Sequence, residues 1–243
     1  MKALMLVAVA CLGSAPVVAA GATQPTVDEL AEARKARDQA DVQALRGLIE
    51  RAQHQASQEH SFDGYLRLSQ LETWMCEAAE DGNDSKLAKQ SAEAGIAAAE
   101  NAVKLKPNSS EAHRLLADSL GELIPYVFAG GPRYGPRSTR EAEKAIQLDP
   151  NNAAAYVNRA RSYFFAPSAF GGNKEKAIER LQKAIALEPA SDTAHIWLAV
   201  AYQGTAHHDD AMREIDVALR LDPDRNFARH VRAQIAQGQV SVH

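Results

Sequence analysis

A six-residue pattern, Ala-apolar-x-Leu-x-Pro, occurs four times in this chain: AVKLKP at 102–107, AIQLDP at 145–150, AIALEP at 184–189 and ALRLDP at 218–223. Alanine and leucine favour helix, and proline stops one because it lacks an N–H and its ring clashes with the preceding turn. Four recurrences of one helix ending imply four copies of one supersecondary unit, which restricts the fold to a stack of like pieces. The prolines are 43, 39 and 34 residues apart. Within the shortest interval, Ala190 to Pro223, Leu198, Ala199 and Tyr202 stand one turn apart on a first helix. Ala211, Ile215 and Ala218 repeat at helical spacing on a second, before Pro223 ends it. Ala199, Ala211 and Ala218 let the two backbones approach, while Leu198, Tyr202, Ile215 and Leu221 fill the space beside them. One such pair cannot bury its own apolar face, so neighbours on both sides are required.

The longer units hold the same two helices with extra residues between them. In the 39-residue unit, Tyr156, Ala160 and Tyr163 mark the first helix and Ala177, Leu181 and Ala184 the second. Five additional residues therefore fall in APSAFGGNK. In the 43-residue unit, His113, Leu116, Ala117 and Leu120 align, and nine more fall around AGGPRYGPRSTR, which reads as an irregular surface loop. Further upstream, Asp41 opens a helix striped by Val42, Leu45, Leu48 and Ile49. Thr26 and Glu29 have the spacing of a capping box before the helix that precedes it. Residues 26–59 and 60–107 then make two less regular pairs. The 34-residue unit resembles the tetratricopeptide repeat, and that resemblance implies an all-α, right-handed solenoid of antiparallel helix pairs with inserted intra-repeat loops. The expected pairs are 26–59, 60–107, 108–150, 151–189 and 190–223, making one repeat domain over 26–237. A helix at 224–237 caps it, with Phe227, Val231 and Ile235 on one face and arginines elsewhere, and 238–243 is a tail.

Composition agrees with closely packed helices: 46% of the residues are apolar but only 6% aromatic. The net charge of −4 asks for neither nucleic acid nor an anionic membrane. Residues 1–20, MKALMLVAVACLGSAPVVAA, combine one lysine, a short apolar run, a Gly-Ser-Pro break and a small-residue ending. They read as a secretory signal peptide, followed by a linker at 21–25. The alternatives are a retained anchor, for which the run is short, and a lipoprotein attached through Cys11. After cleavage the protein is expected to be exported to the periplasm or beyond, with no transmembrane span. Cys76 is then the one cysteine left, so no disulfide within the chain is available, and its setting beside Trp74 reads as a buried small apolar residue.

No Gly-x-Ser-x-Gly elbow, His-Glu-x-x-His pair, phosphate-binding loop, dinucleotide fingerprint or cysteine metal set occurs, so no catalytic, cofactor-binding or metal residues are assigned. His207-His208-Asp209-Asp210 is the strongest metal candidate, yet it coincides with a turn where Asp209 or Asp210 is placed to cap a helix. EDGND at 80–84 lacks the ligand spacing of a calcium loop. Function is therefore expected on the wall lined by the first helix of each pair. The register places Arg114 and Asp118, then Val157, Asn158, Arg161 and Phe165, then Ile196, Val200 and Gln203 on that wall. A groove of this kind takes a protein or peptide partner, with Arg161 as an acid-binding anchor. The competing surface is the first insertion, where Tyr134 between Arg133 and Gly135, with Arg137 nearby, offers an aromatic anchor. Asp118 and Trp197 stand where the basic and asparagine clamp of chaperone-binding domains would be, which excludes that ligand.

The segment RSYFFAPSAFGGNKEKAIERLQKAIALEP, with Ala166-Pro167, Gly171-Gly172 and Lys176-Ala177 between its helices, is similar to the T component family associated with TRAP transporters. That resemblance implies an extracytoplasmic accessory of solute uptake that engages a periplasmic solute-binding protein or a small apolar ligand. The family's members are often lipoproteins, whereas a convincing lipid-attachment cysteine is lacking here.

Overall fold

The structure, a computed structural model, describes residues 27–239. The expected signal peptide, linker, Thr26 cap and last four residues lie outside them. Eleven α-helices and no strand occur among the described residues: α1 (Val27–Asp38), α2 (Val42–Glu59), α3 (Phe62–Asp81), α4 (Ser85–Leu105), α5 (Ser110–Leu123), α6 (Gly130–Leu148), α7 (Ala153–Phe165), α8 (Lys174–Leu187), α9 (Asp192–Gln203), α10 (His208–Leu221) and α11 (Asn226–Ala236). Each odd-numbered helix from α1 to α9 packs on the even one that follows it, and α1, α3, α5, α7, α9 and α11 pack side by side as the inner row.

Side-chain caps begin most helices. Asp41 accepts from the N–H groups of Gln43 and Ala44, and Ser61, Asp84, Ser109, Asn152, Asn173 and Ser191 each cap the helix they precede. At the 207–210 turn the expected cap is absent. His207 occupies the cap position without a side-chain bond, and Asp209 and Asp210 lie in the first turn of α10, where their charge suits the positive end of the helix dipole.

The repeated alanines have the role their spacing implies. Ala99, Ala102, Ala117, Ala142, Ala145, Ala160, Ala177, Ala184, Ala199, Ala211 and Ala218 are all within 1% of complete burial. Enlarging one of them forces packed helices apart, so Ala199→Leu is expected to reduce stability by roughly 1 to 3 kcal/mol. A melting temperature equal to wild type would contradict this packing.

Two histidines at equivalent positions tie consecutive repeats. His113 lies 2.6 Å from Glu141 through Nδ1 and 2.9 Å from the Pro107 carbonyl through Nε2. His195 makes the same pair of contacts with Glu214 at 2.7 Å and Pro189 at 3.3 Å. Each ring thus joins the proline that ends one unit to the second helix of the next.

The two insertions differ. Between α7 and α8 the chain forms a short 3-10 turn at Ser168–Phe170 and returns through Gly171, whose φ of +86° suits glycine. A Cβ on Gly172 would collide with the Ala166 carbonyl, so the glycine pair is demanded by the loop itself. Between α5 and α6 the expected loop at 130–137 is instead the first two turns of α6. Pro132 falls in the first turn, where no intrahelical N–H is needed, and although Pro136 removes one bond from the interior, packing carries the helix through. Ser138 donates to the Ala117 carbonyl at 2.8 Å, and Tyr134 packs against the cluster of Leu115, Leu116 and Leu120.

Candidate functional site in the charged interior

The register expected for the inner wall can be followed residue by residue. Val157, Ile196 and Val200 belong to the apolar core shared by α7, α8, α9, α10 and α11, and Ile196 is completely buried. They are floor beneath the wall, out of a partner's reach in this structure. Asn158 donates to the Arg114 carbonyl at 3.0 Å and so fixes α7 on α5. Gln203 turns to His208 at 3.3 Å. Phe165 meets Trp197 edge to face, ring centres 5.8 Å apart, and is 44% exposed.

The charged members form a network. Arg161 reaches Asp118 at 3.0 Å and Glu122 at 2.7 Å while lying 4.5 Å over the Trp197 ring. Arg114 bonds Gln70 at 2.8 Å, Glu111 at 2.5 Å and Asp118 at 3.3 Å. The expectation that Arg161 waits for an acidic group of a partner is therefore corrected: its guanidinium is already shared between two carboxylates. Burial pushes the Glu122 carboxyl up to about 8 against the pull of Arg161, and it raises Asp118 and Glu80 as well. Two arginines, Arg114 and Arg161, stand against four acids here, Glu80, Glu111, Asp118 and Glu122.

The network continues across the inside of the superhelix to both ends of the array. Arg225, at the start of α11, lies 2.6 Å from Glu77 on α3, 3.3 Å from Asp38 on α1 and 3.6 Å from Asp192 on α9. Arg37 pairs with Asp38 at 2.5 Å and stands 3.9 Å from both Asp192 and Asp222. His230 lies 3.4 Å from Asp81. First and last helices are thus joined by charge, and the inner row closes around its own polar side chains. Burial alone would raise Glu77, but Arg225 and Arg37 beside it hold its carboxyl below the usual range. Asp38 is pushed up to about 6, burial outweighing its two arginines.

Sequence reasoning missed Asp38, Glu77, Glu122 and Arg225. A partial signal existed: Asp118 and Glu122, like Glu77 and Asp81, are four residues apart on first helices and so share a face. Nothing local announces that Arg225 turns inward, and the cap arginine expected at the surface is 2% exposed.

The inserted segment offers a different anchor from the one expected. Tyr134 is half-buried with Arg133 at 5.2 Å from its ring, and Arg137 is tied to Glu100 at 2.7 Å. The most exposed phenylalanines among the described residues are Phe128, 99% accessible, and Phe170, 76%, one on each insertion. Cys76 is fully buried, and that burial pushes its thiol well above the ordinary range. Among the described residues no group of three or more His, Cys, Asp or Glu side chains is placed to hold a metal ion, and no helix is long and apolar enough to cross a membrane.

Comparison with known proteins agrees with this architecture. Residues 172–240 match the family model for a tetratricopeptide repeat. No curated protein matches the chain. Among solved structures, a thermophilic tetratricopeptide-repeat protein of Thermus thermophilus is similar over 86% of this chain and 98% of its own, with 16% identity and a TM-score of 0.59. YrrB, a tetratricopeptide-repeat protein with an unusual peptide-binding site, aligns over 84% of this chain and 97% of its own at 14% identity and a TM-score of 0.45. MamA aligns over 79% and 94% at 20% identity and 0.42. The recurrent helix pair and the shared fold make this chain an α-solenoid of antiparallel helix pairs of the tetratricopeptide-repeat type, with residues 172–240 matching that repeat's family model.

Proposed function

We propose that this protein is an exported, non-catalytic scaffold that binds a protein or peptide partner on its inner wall. The observation that carries the reading is the wall's chemistry. Buried ion pairs add little net stability compared with apolar packing of the same volume, so a chain built only to hold itself together gains little from them. Here Arg114, Asp118 and Arg161 recur on successive first helices, and Asp118 and the nearby Glu77 keep 14% and 26% of their side chains accessible. A polar, partly wetted inner row suits recognition better than self-assembly. Export rests on the amino-terminal segment, whose lysine, apolar run and small-residue ending have the order of a cleavable signal.

Affinity capture with the tagged protein in its native compartment tests the reading, and specific recovery of a protein that the Glu77→Gln variant loses is the expected result. Recovery of no partner overturns it. The narrower reading, an accessory of solute uptake, rests on the likeness of the Ala166-Pro167 and Gly171-Gly172 loop and predicts that the recovered protein is a solute-binding protein. Mass spectrometry of the mature chain is expected to find a start near Gly21 or Thr23. A retained Met1, or a diacylglycerol on Cys11, would show that the amino-terminal segment is not a simple signal.

A further inference from the structure

Arg225 is an unusual member of the interior. It begins the last helix, yet its side chain extends to Glu77 and Asp38, residues 148 and 187 positions earlier in the chain. It is 2% exposed, and its Nε has no hydrogen-bond partner. Two other buried atoms have no hydrogen-bond partner, Arg37 Nη2, which is ion-paired with Asp38, and Asp192 Oδ2; all three surround the same point, with Arg225 Nε 3.6 Å and Arg37 Nη2 3.9 Å from Asp192 Oδ2. The arginines supplied by the chain itself therefore fill this acidic site imperfectly. Deeper inside, Glu80, Asp118 and Glu122 lie around Arg161, with Arg114 also on Asp118, and burial raises all three carboxyls in spite of these cations.

Resting on the scaffold reading above, we propose that the interior is a receptor for a basic segment of the partner, and that Arg225 is a tethered stand-in which a lysine or arginine of that segment displaces. Charge complementarity sets the sign: each inner arginine is already matched to acids, whereas the acids exceed their arginines, so an acidic segment meets no free cation and a basic one completes the network. The tether is short. Asp222 ends the α10 turn, and Pro223 and Asp224 are the only residues between it and Arg225. Displacing Arg225 moves α11, a single terminal helix packed on α9 and α10, and leaves the other pairs intact. Self-occupancy of a site lowers apparent affinity by the fraction of molecules in which the site is open, so loss of the stand-in raises it.

The test uses a short fluorescein-labelled peptide of alternating arginine and glycine, with a glutamate-glycine peptide as control, by fluorescence anisotropy at low ionic strength. Arg225→Ala is expected to bind the arginine peptide about tenfold more tightly than wild type, within the usual range of coupling between sites. Adding Glu77→Gln removes that gain, and the glutamate peptide binds neither protein. Equal affinity in wild type and Arg225→Ala, or a gain for the glutamate peptide, overturns the proposal. Should Arg225→Ala fail to fold, wild type decides the matter by hydrogen exchange. Saturating arginine peptide is expected to speed exchange of the 226–236 amides while the α7–α8 pair stays protected, and unchanged exchange refutes displacement. A captured partner that Glu77→Gln loses but that binds wild type and Arg225→Ala equally would sink this inference and leave the scaffold reading standing. An arginine peptide that binds as expected while no protein is ever captured would count against the scaffold alone.

Discussion

Arg161→Ala is expected to lower the melting temperature by about 10 °C at pH 8, corresponding to roughly 3 to 5 kcal/mol for removing one partner of a buried ion pair in a domain of this size. The reason is local. Arg161 is bonded to Asp118 and Glu122 and covers the Trp197 ring, so alanine leaves two buried carboxylates without their shared cation and an aromatic face without its cover. Repeating the melt at pH 5 separates charge from packing. There Glu122, whose carboxyl already titrates near 8 in the wild type, takes up a proton, and the loss is expected to shrink by about half. A variant that melts like wild type at pH 8 would mean that the cluster contributes nothing to the fold.

Wild type itself is expected to be most stable near pH 5 and to lose about 20 °C in melting temperature by pH 8.5, which a series of thermal melts will measure. Burial raises the carboxyls of Asp38 to about 6, Glu72 to about 7 and Glu122 to about 8. A carboxyl with a higher folded than unfolded pKa binds more protons in the folded state between those two values. Stability therefore falls as pH rises from about 4.5 to 8, and each such carboxyl removes about 1.4 kcal/mol for every pH unit that separates its folded from its unfolded pKa. His195 acts in the same direction. Its bond to Glu214 raises its pKa, so the stability it contributes is present in acid and lost as pH passes its folded value. Glu77 acts in the opposite direction, its lowered carboxyl contributing stability that disappears below about 4.5 and so closing the window on the acid side. A melting temperature that is flat or rising from pH 5 to 8.5 would contradict the burial of these acids.

The repeat was legible in the sequence because its determinants are local and periodic. Four helix endings at proline and alanines where backbones touch are each set within a few residues, and the structure places them as those patterns require. The first insertion was misjudged for a complementary reason. Two prolines and three glycines argue against helix over 130–137, but Tyr134 and Ser138 have apolar and carbonyl partners on α5 that the local sequence does not display. Tertiary packing outweighed local preference there. The inner wall was legible as a set of positions and illegible as a charge. Register could say that Arg114, Asp118 and Arg161 share a face, since that follows from helical period alone. Whether Arg161 is free or spent depends on how far the inner row curls, and that curl accumulates from small rotations between units that no single unit encodes. Only the closed tertiary structure brings Arg225 to Asp38 across 187 residues, and that closure fixes the interior as acidic.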